Sequence, residues 1–196
     1  MNTEFFGGVL VARMLEGGMK FALGPTIAAR KRALEQIGGF DRLKDYLAED
    51  FVMGKFAADA GWGVILSRYV VEHRIGSESW DKNAAHRIRW ARSTHRSRPV
   101  GYGGQLFTNP VPISLALALV EPGWWWPQLV ITAILRALAA WVVAGRVLHA
   151  PVGWALLIPQ DLLSFVFWFA GFFGNTIHWR GRRYRLNKDG TFTLVP

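Results

Sequence analysis

The sequence predicts an α/β region followed by a membrane-embedded helical region. Three observations predict it. Up to residue 104, apolar runs of helical period alternate with short strand-like runs, punctuated by glycines, as in an α/β domain. Beyond residue 110, long apolar stretches rich in Trp and Phe take over, as in membrane segments. Between the two lies a dense block of Arg, Lys and His. The composition agrees: 51% of the 196 residues are apolar and 19% are charged, with a mean hydropathy of +0.16, which excludes a disordered chain. Lys and Arg number 23 and Asp and Glu 14, so the net charge of +9 points to an anionic membrane surface or nucleic acid. There is no cysteine, which excludes disulfides, thiol catalysis and zinc–thiolate sites.

Each element has its own signal. Thr3 is a good N-cap for a helix through Phe5, Phe6, Val9, Leu10, Met14 and Leu15, stopped by Gly17-Gly18. Residues 1–13 hold neither a basic n-region nor an apolar h-region, so no signal peptide is expected. Residues 21–29 read as a strand and 31–37 as a short helix closed by Gly38-Gly39. Residues 48–60 read as a helix carrying Phe51, Val52, Phe56 and Ala57, ended by Gly61, and residues 64–66 and 69–71 as short strands. Residues 81–98 form a basic helix: Lys82, His86, Arg87, Arg89, Arg92, His95, Arg96 and Arg98 surround Trp90. It reads as a helix lying on an anionic membrane surface. The competing reading, a nucleic-acid helix, is set aside because apolar segments follow at once.

Residues 111–120 are apolar but too few to span. Glu121-Pro122-Gly123 breaks the run, and Trp124-Trp125-Trp126 reads as an interfacial aromatic belt. Spans are expected at about 128–148 and 154–177, joined by a turn at 149–153, with 106–121 interfacial or re-entrant. Basic residues favour the cytoplasmic side, so the helix at 81–98 and the basic tail at 179–185 should share it. That requires an even number of crossings; three spans would place the tail outside. Residues 191–194 read as a short strand. In an antiparallel hairpin Arg136 and Asp161 differ in depth by four residues, about 6 Å, which an Arg side chain covers. Each charge alone would cost ~2.5–3.5 kcal/mol near the bilayer centre, so the two are expected to pair. The alternative has each reaching water at an opposite interface.

Two groups of residues can carry chemistry. Glu49-Asp50 opens a helix, where the dipole favours carboxylates. It serves as a charge cap or, given a nearby substrate hydroxyl, as a general base. Arg87, Arg89 and Trp90 form a cation–aromatic group that contacts lipid head groups or clamps a diphosphate through paired guanidinium donors, with Trp90 flanking a sugar or base.

Asp50 stands 36 residues before His86, which opens His86-Arg87-Ile88-Arg89-Trp90. In this order and spacing the chain resembles membrane-bound, lipid-modifying family 2 glycosyltransferases. It is most similar to the ceramide glucosyltransferases and their bacterial relatives associated with hopanoid biosynthesis. Those enzymes carry a catalytic Asp in an Asp-Asp or Glu-Asp pair and then a (Gln/Arg)-x-x-Arg-Trp motif. Asp50, Arg89 and Trp90 match. His86 departs from Gln or Arg, and either His86 or Arg87 would fill that role. The segments from Phe21 through Gly24 to Thr26, Ala29 to Leu34 and Ile37 to Phe40 also resemble the family, as do the stretches around Arg92 to Pro99 and Trp179 to Tyr184.

The resemblance implies a glycosyltransferase-A type domain. It also implies an inverting transfer of a hexose, glucose from a UDP-sugar, to a membrane lipid hydroxyl, with no nucleic acid involved. Asp50 would be catalytic; His86, Arg87, Arg89 and Trp90 would bind the substrate diphosphate; Glu49 and Gly24 would support them. A multi-pass protein of the bacterial inner membrane is implied, with its catalytic part and tail cytoplasmic. The family also uses a divalent metal, Mg or Mn, held by an Asp-x-Asp-like motif. Before Asp50 the acidic residues are Glu4, Glu16, Glu35, Asp41, Asp45 and Glu49, and no such motif occurs, so no metal ligand is assigned. The sequence is therefore expected to be the C-terminal part of such an enzyme: residues 1–104 the C-terminal half of the catalytic domain with the interfacial helix, 105–178 a membrane region with a helical hairpin, and 179–196 a basic cytoplasmic tail. The alternative is a non-catalytic, membrane-anchored fragment or interaction module. A transporter or channel subunit, suggested by Arg136 and Asp161, is a third.

Overall fold

The computed structural model describes residues 3–71, 79–179 and 181–195. Helix α1 spans Thr3–Leu15 and stops where Gly17 and Gly18 take φ of +64° and +143°, with the Gly18 amide donating back to the Arg13 carbonyl at 2.9 Å. Helices α2 (Lys31–Gln36) and α3 (Gly39–Leu43) follow, then α4 (Glu49–Asp59). Gly38, at φ +94°, does not close the helical stretch: it turns the chain directly into α3. The basic helix α5 runs Trp80–Ser97.

The strands expected at 21–29, 64–66 and 69–71 do not form. Within those segments the pairing is one antiparallel bridge, Met19 to Val64. The cause lies in α4. Its Gly54 faces the backbone of Phe21 and Ala22 so closely that a Cβ there would overlap Ala22 N. Residues 21–22 therefore pack their main chain against a helix face rather than a neighbouring strand. Phe21 stacks on Phe51 at 5.4 Å and joins Val9 and Met19 in a small core that binds α1 to α4. The expected α/β region is thus mostly helical.

Beyond α5, helix α6 (Pro99–Gly104) and the 3-10 turn Gln105–Thr108 meet α7 (Pro110–Val120) at a 70° bend. Asn109 occupies the bend, its amide donating to the Gln105 carbonyl at 3.1 Å, and Pro110 prevents the helix from continuing straight. Helix α8 (Trp125–Trp141) extends through a π-helical end, Val142–Val147. With the 3-10 turn before it, the run Pro122–Val147 has 26 residues, about 39 Å, enough to cross a ~30 Å hydrocarbon core. Trp124, Trp125 and Trp126 at its start are exposed, as a belt requires.

Helix α9 covers Leu157–Ala170, shorter than the span expected over 154–177. The shortfall has a structural cause. Arg92 of α5 reaches the chain just after α9, donating from Nε to the Phe173 carbonyl at 2.9 Å and from Nη1 to the Thr176 carbonyl at 2.5 Å. Gly174, at φ +77°, leaves room for that guanidinium. The chain then enters a three-stranded antiparallel sheet, β1 (Thr176–Trp179), β2 (Arg182–Leu186) and β3 (Phe192–Leu194), in the order β1-β2-β3. Ile177 faces Tyr184, which in turn faces Leu194. The basic tail is therefore folded: Trp179, Tyr184 and Phe192 form an aromatic cluster, and only β3 matches the expected strand.

The expected Arg136–Asp161 pair is present. Arg136 Nε donates to both Asp161 oxygens at 2.9 and 2.8 Å, and both side chains are buried. Thr3 and Glu4 of α1 complete the cluster: Arg136 Nη2 donates to Thr3 Oγ1 at 3.0 Å and lies 3.7 Å from Glu4. Gln160 and Ser164 donate to Glu4 at 2.6 and 3.0 Å. Through this cluster α1 packs on α8 and its π-helical end, elements beyond the boundary expected at 104.

Candidate active site

Asp50 sits in the first turn of α4, half-buried, with exposed Glu49 beside it. The free amides of that turn favour negative charge. Gly24 lies against Asp50: a Cβ on Gly24 would be 2.6 Å from Asp50 Oδ2 and 3.3 Å from its Cγ. A side chain at 24 would push the Asp50 carboxylate aside, so glycine lets bare backbone lie against it. Gly54 makes this possible, since it lets Phe21 and Ala22 pass under α4 on the way to Gly24. Sequence reasoning missed Gly54, although a lone glycine inside a helical pattern is the signal that could have found it.

The segment entering α4 is held from afar. Tyr46 forms an antiparallel bridge with Thr191, and the Phe192 amide donates to the Asp45 carbonyl at 2.9 Å. The Tyr46 ring meets Phe56 of α4 edge-on at 6.0 Å. The C-terminal sheet thus braces the residues just before Glu49 and Asp50. No local signal announces this contact, because its partners lie about 145 residues apart.

Helix α5 brings the second group. Arg89 is half-buried, and burial pushes its guanidinium below its ordinary value while the Glu49 carboxylate opposes the shift. The group stays charged at physiological pH. The Glu49 carboxylate on α4 thus acts electrostatically on Arg89 of α5. His86 and Trp90, one turn apart, meet edge-to-face at 4.9 Å, and Trp90 leaves half of its surface exposed. Arg87 points elsewhere. Its Nε donates to Asn83 Oδ1 at 3.0 Å, and its guanidinium lies 5.7 Å from the Phe167 ring of α9. Two residues apart on a helix means about 200°, so Arg87 and Arg89 leave α5 on opposite sides.

The structure sets Gly24 against Asp50, couples Glu49 electrostatically to Arg89, and pairs His86 with Trp90. Arg87 goes to α9. Arg98, at the end of α5, is paired with Glu16 and lies 4.9 Å over the Phe21 ring, and burial lowers its pKa. It holds α5 to the end of α1. Among the described residues no group of three or more His, Cys, Asp or Glu is placed to hold a metal ion.

The arrangement offers a half-buried carboxylate on α4 lying against bare backbone, and a half-buried guanidinium and an exposed indole on α5. No solved structure matches the chain. The family model for glycosyl transferase family 21 matches residues 1–192, from α1 through the first residue of β3. The chain belongs to glycosyl transferase family 21, the ceramide glucosyltransferase family, whose activity is glycosyl transfer from a nucleotide-sugar donor to an acceptor.

Proposed function

We propose that the protein transfers a hexose, glucose from a UDP-sugar, to the hydroxyl of a membrane lipid with inversion at the anomeric carbon. The observation that carries this reading is Asp50 held against Gly24 at the head of α4, inside a family-wide match. Asp50 takes the proton of the lipid hydroxyl as its oxygen bonds to the anomeric carbon. The bond from that carbon to the diphosphate breaks on the opposite face, and the nucleoside diphosphate leaves with the electron pair. Arg89 stabilises the growing charge, and the exposed Trp90 face, backed by His86, flanks the donor. The described residues offer no metal site for the Mg or Mn that the family resemblance implies, and no step here runs through one.

The apolar run Pro122–Val147 and the basic α5 support a protein seated in the bacterial inner membrane, with the site on its cytoplasmic face. The test uses membranes carrying the native gene product, a labelled UDP-sugar and endogenous lipid. Asp50→Asn should abolish at least ~10²-fold of the transfer while leaving the protein inserted and folded. Near-normal turnover in that variant removes Asp50 as the base.

A further inference from the structure

Asp50 and Arg89 stand on different helices, α4 and α5, so whatever holds α4 against α5 sets their spacing. Arg98, over the Phe21 ring, ties the end of α5 to the chain that passes under α4. A helix tied at one end is still free to swing. A second tie runs through the C-terminal sheet. Arg92, one turn from Arg89, donates to the Phe173 and Thr176 carbonyls at the entry to β1. Thr176 stands opposite Arg185 of β2, and Arg185 opposite Thr193 of β3, so one rung crosses the sheet. That rung is two interstrand spacings long, about 10 Å. Beside it, at the far edge, the Phe192 amide donates to the Asp45 carbonyl and Thr191 bridges to Tyr46. Gly190 closes the circuit. It is buried at φ +86°, and a Cβ there would sit 3.2 Å from Ser97 Oγ of α5 and 3.8 Å from Tyr46 Cδ1. The turn before β3 is thus wedged between the end of α5 and the residues that lead into α4.

We infer that this sheet is the spacer that sets Arg89 against Asp50 for transfer, with Arg92 and Gly190 as positioning residues. The inference rests on the reading of Asp50 as the base and Arg89 as the group that stabilises the leaving diphosphate. In a direct displacement the proton is taken on one face of the anomeric carbon while the diphosphate leaves from the other. Both groups must therefore hold their places at the same moment, and a misplacement of about 1 Å costs up to ~10²-fold in rate. The links from Arg92 to Asp45 end on main-chain carbonyls and cross paired strands, so they pass on position and carry no charge to the site.

The test uses the full native gene product in nanodiscs of native membrane lipid, with UDP-glucose as the donor. Spin labels at Lys55→Cys on α4 and Lys82→Cys on α5, both exposed, read the spacing between the helices. The distance distribution should be narrow in the parent protein. Arg92→Gln should broaden or shift it and cut kcat about tenfold or more, with donor KM changing less than about twofold. Arg92→Lys, which keeps one donor group, should fall between. In an Arg89→Gln background the Arg92 change should cost little more, because the group it positions is gone. Gly190→Ala should move the same distance from the other end of the sheet, and adding Ser97→Ala should recover part of it. If Gly190→Ala does not fold, the Arg92 series decides. An unchanged distance in Arg92→Gln overturns the spacer. A changed distance with kcat intact, or losses that multiply in the Arg89→Gln background, overturns its role in transfer. The base assignment fails separately, through normal turnover in Asp50→Asn, and that result leaves the distance measurement untouched.

Discussion

Gly24 is the residue whose chemistry depends most directly on having no side chain. Its Cα lies where a methyl group would meet Asp50 Oδ2 at 2.6 Å, so Gly24→Ala should turn the carboxylate away from its position. The fold should survive, because the nearest atoms belong to a side chain that can rotate. Transfer should drop about tenfold or more, in kcat rather than in donor KM, since the loss falls on the proton-accepting step. A change confined to donor KM would place Gly24 in donor binding instead. Asp189 acts on a smaller scale. Its carboxylate accepts from Thr191 Oγ1 at 2.7 Å and from the Thr191 amide at 3.0 Å, and these bonds hold its pKa below the ordinary value. A carboxylate depressed in the fold contributes stability that is complete above its unfolded value, about 3.9, and is lost as pH falls through the folded value. Amide exchange at Thr191 should therefore stay protected at neutral pH and accelerate only in acid below that range; acceleration already near pH 6 would show that Asp189 does not hold the turn.

At the level of elements, periodicity located the helices α1, α2, α4, α5 and α8, and depth arithmetic anticipated the Arg136–Asp161 bond. The strands at 21–29, 64–66 and 69–71 were misread because composition does not reveal what lies opposite. Phe21 and Ala22 meet Gly54 of a helix where a strand needs a partner edge. Strands β1 and β2 were hidden for another reason: the arginines of Arg182–Leu186 resemble a head-group anchor, and only pairing with β1 separates its outward residues from buried Leu186. Within the candidate site, the two-residue step from Arg87 to Arg89 already sends them to opposite sides of α5, whereas the close approach of Gly24 to Asp50 and the Phe167 ring that Arg87 meets, 80 residues away, leave no local signal. The charge cluster joining α1, α8 and α9 yields a sharper expectation than the pair alone. Arg136→Asp and Asp161→Arg should each destabilise by about 3–5 kcal/mol, the cost of stranding a buried charge. The double exchange should recover only part, because it sets a second carboxylate beside Glu4. Adding Glu4→Gln should recover more. Thermal unfolding in detergent reads all four variants, and strictly additive losses would remove the coupling.

For the whole molecule, the contacts along α8 and α9 give an expectation of how the chain sits in a bilayer. Arg136 lies midway along Pro122–Val147, so where that run crosses a bilayer its bond to Asp161 sets both residues near the centre. Trp168 is seven residues beyond Asp161, about 10 Å toward the end of α9 that leads to β1. Tyr102 of α6 bonds there, with its hydroxyl donating to the Trp168 carbonyl at 2.7 Å and its carbonyl accepting from the Trp168 indole at 2.8 Å. Gln128 is eight residues before Arg136, about 12 Å toward the start of α8, and its carbonyl accepts from Ser114 of α7 at 3.4 Å. In an antiparallel hairpin those two levels lie on the same side. From these levels we expect the bent pair α6–α7 to dip in and return while α8 and the shorter α9 cross, with local thinning of the bilayer accommodating α9. Labelling can test this cleanly, because the chain has no cysteine of its own. Gly123 has open space around its Cα, and a Cβ on Gly153 makes only an ordinary 3.8 Å contact with Leu156, so both accept a cysteine. In sealed inner-membrane vesicles, an impermeant maleimide should reach Gly123→Cys and the tail variant Lys188→Cys from one side and Gly153→Cys from the other. If Gly123→Cys instead labels from the side of Gly153→Cys, the bent pair crosses the membrane and α8 with α9 is not the hairpin.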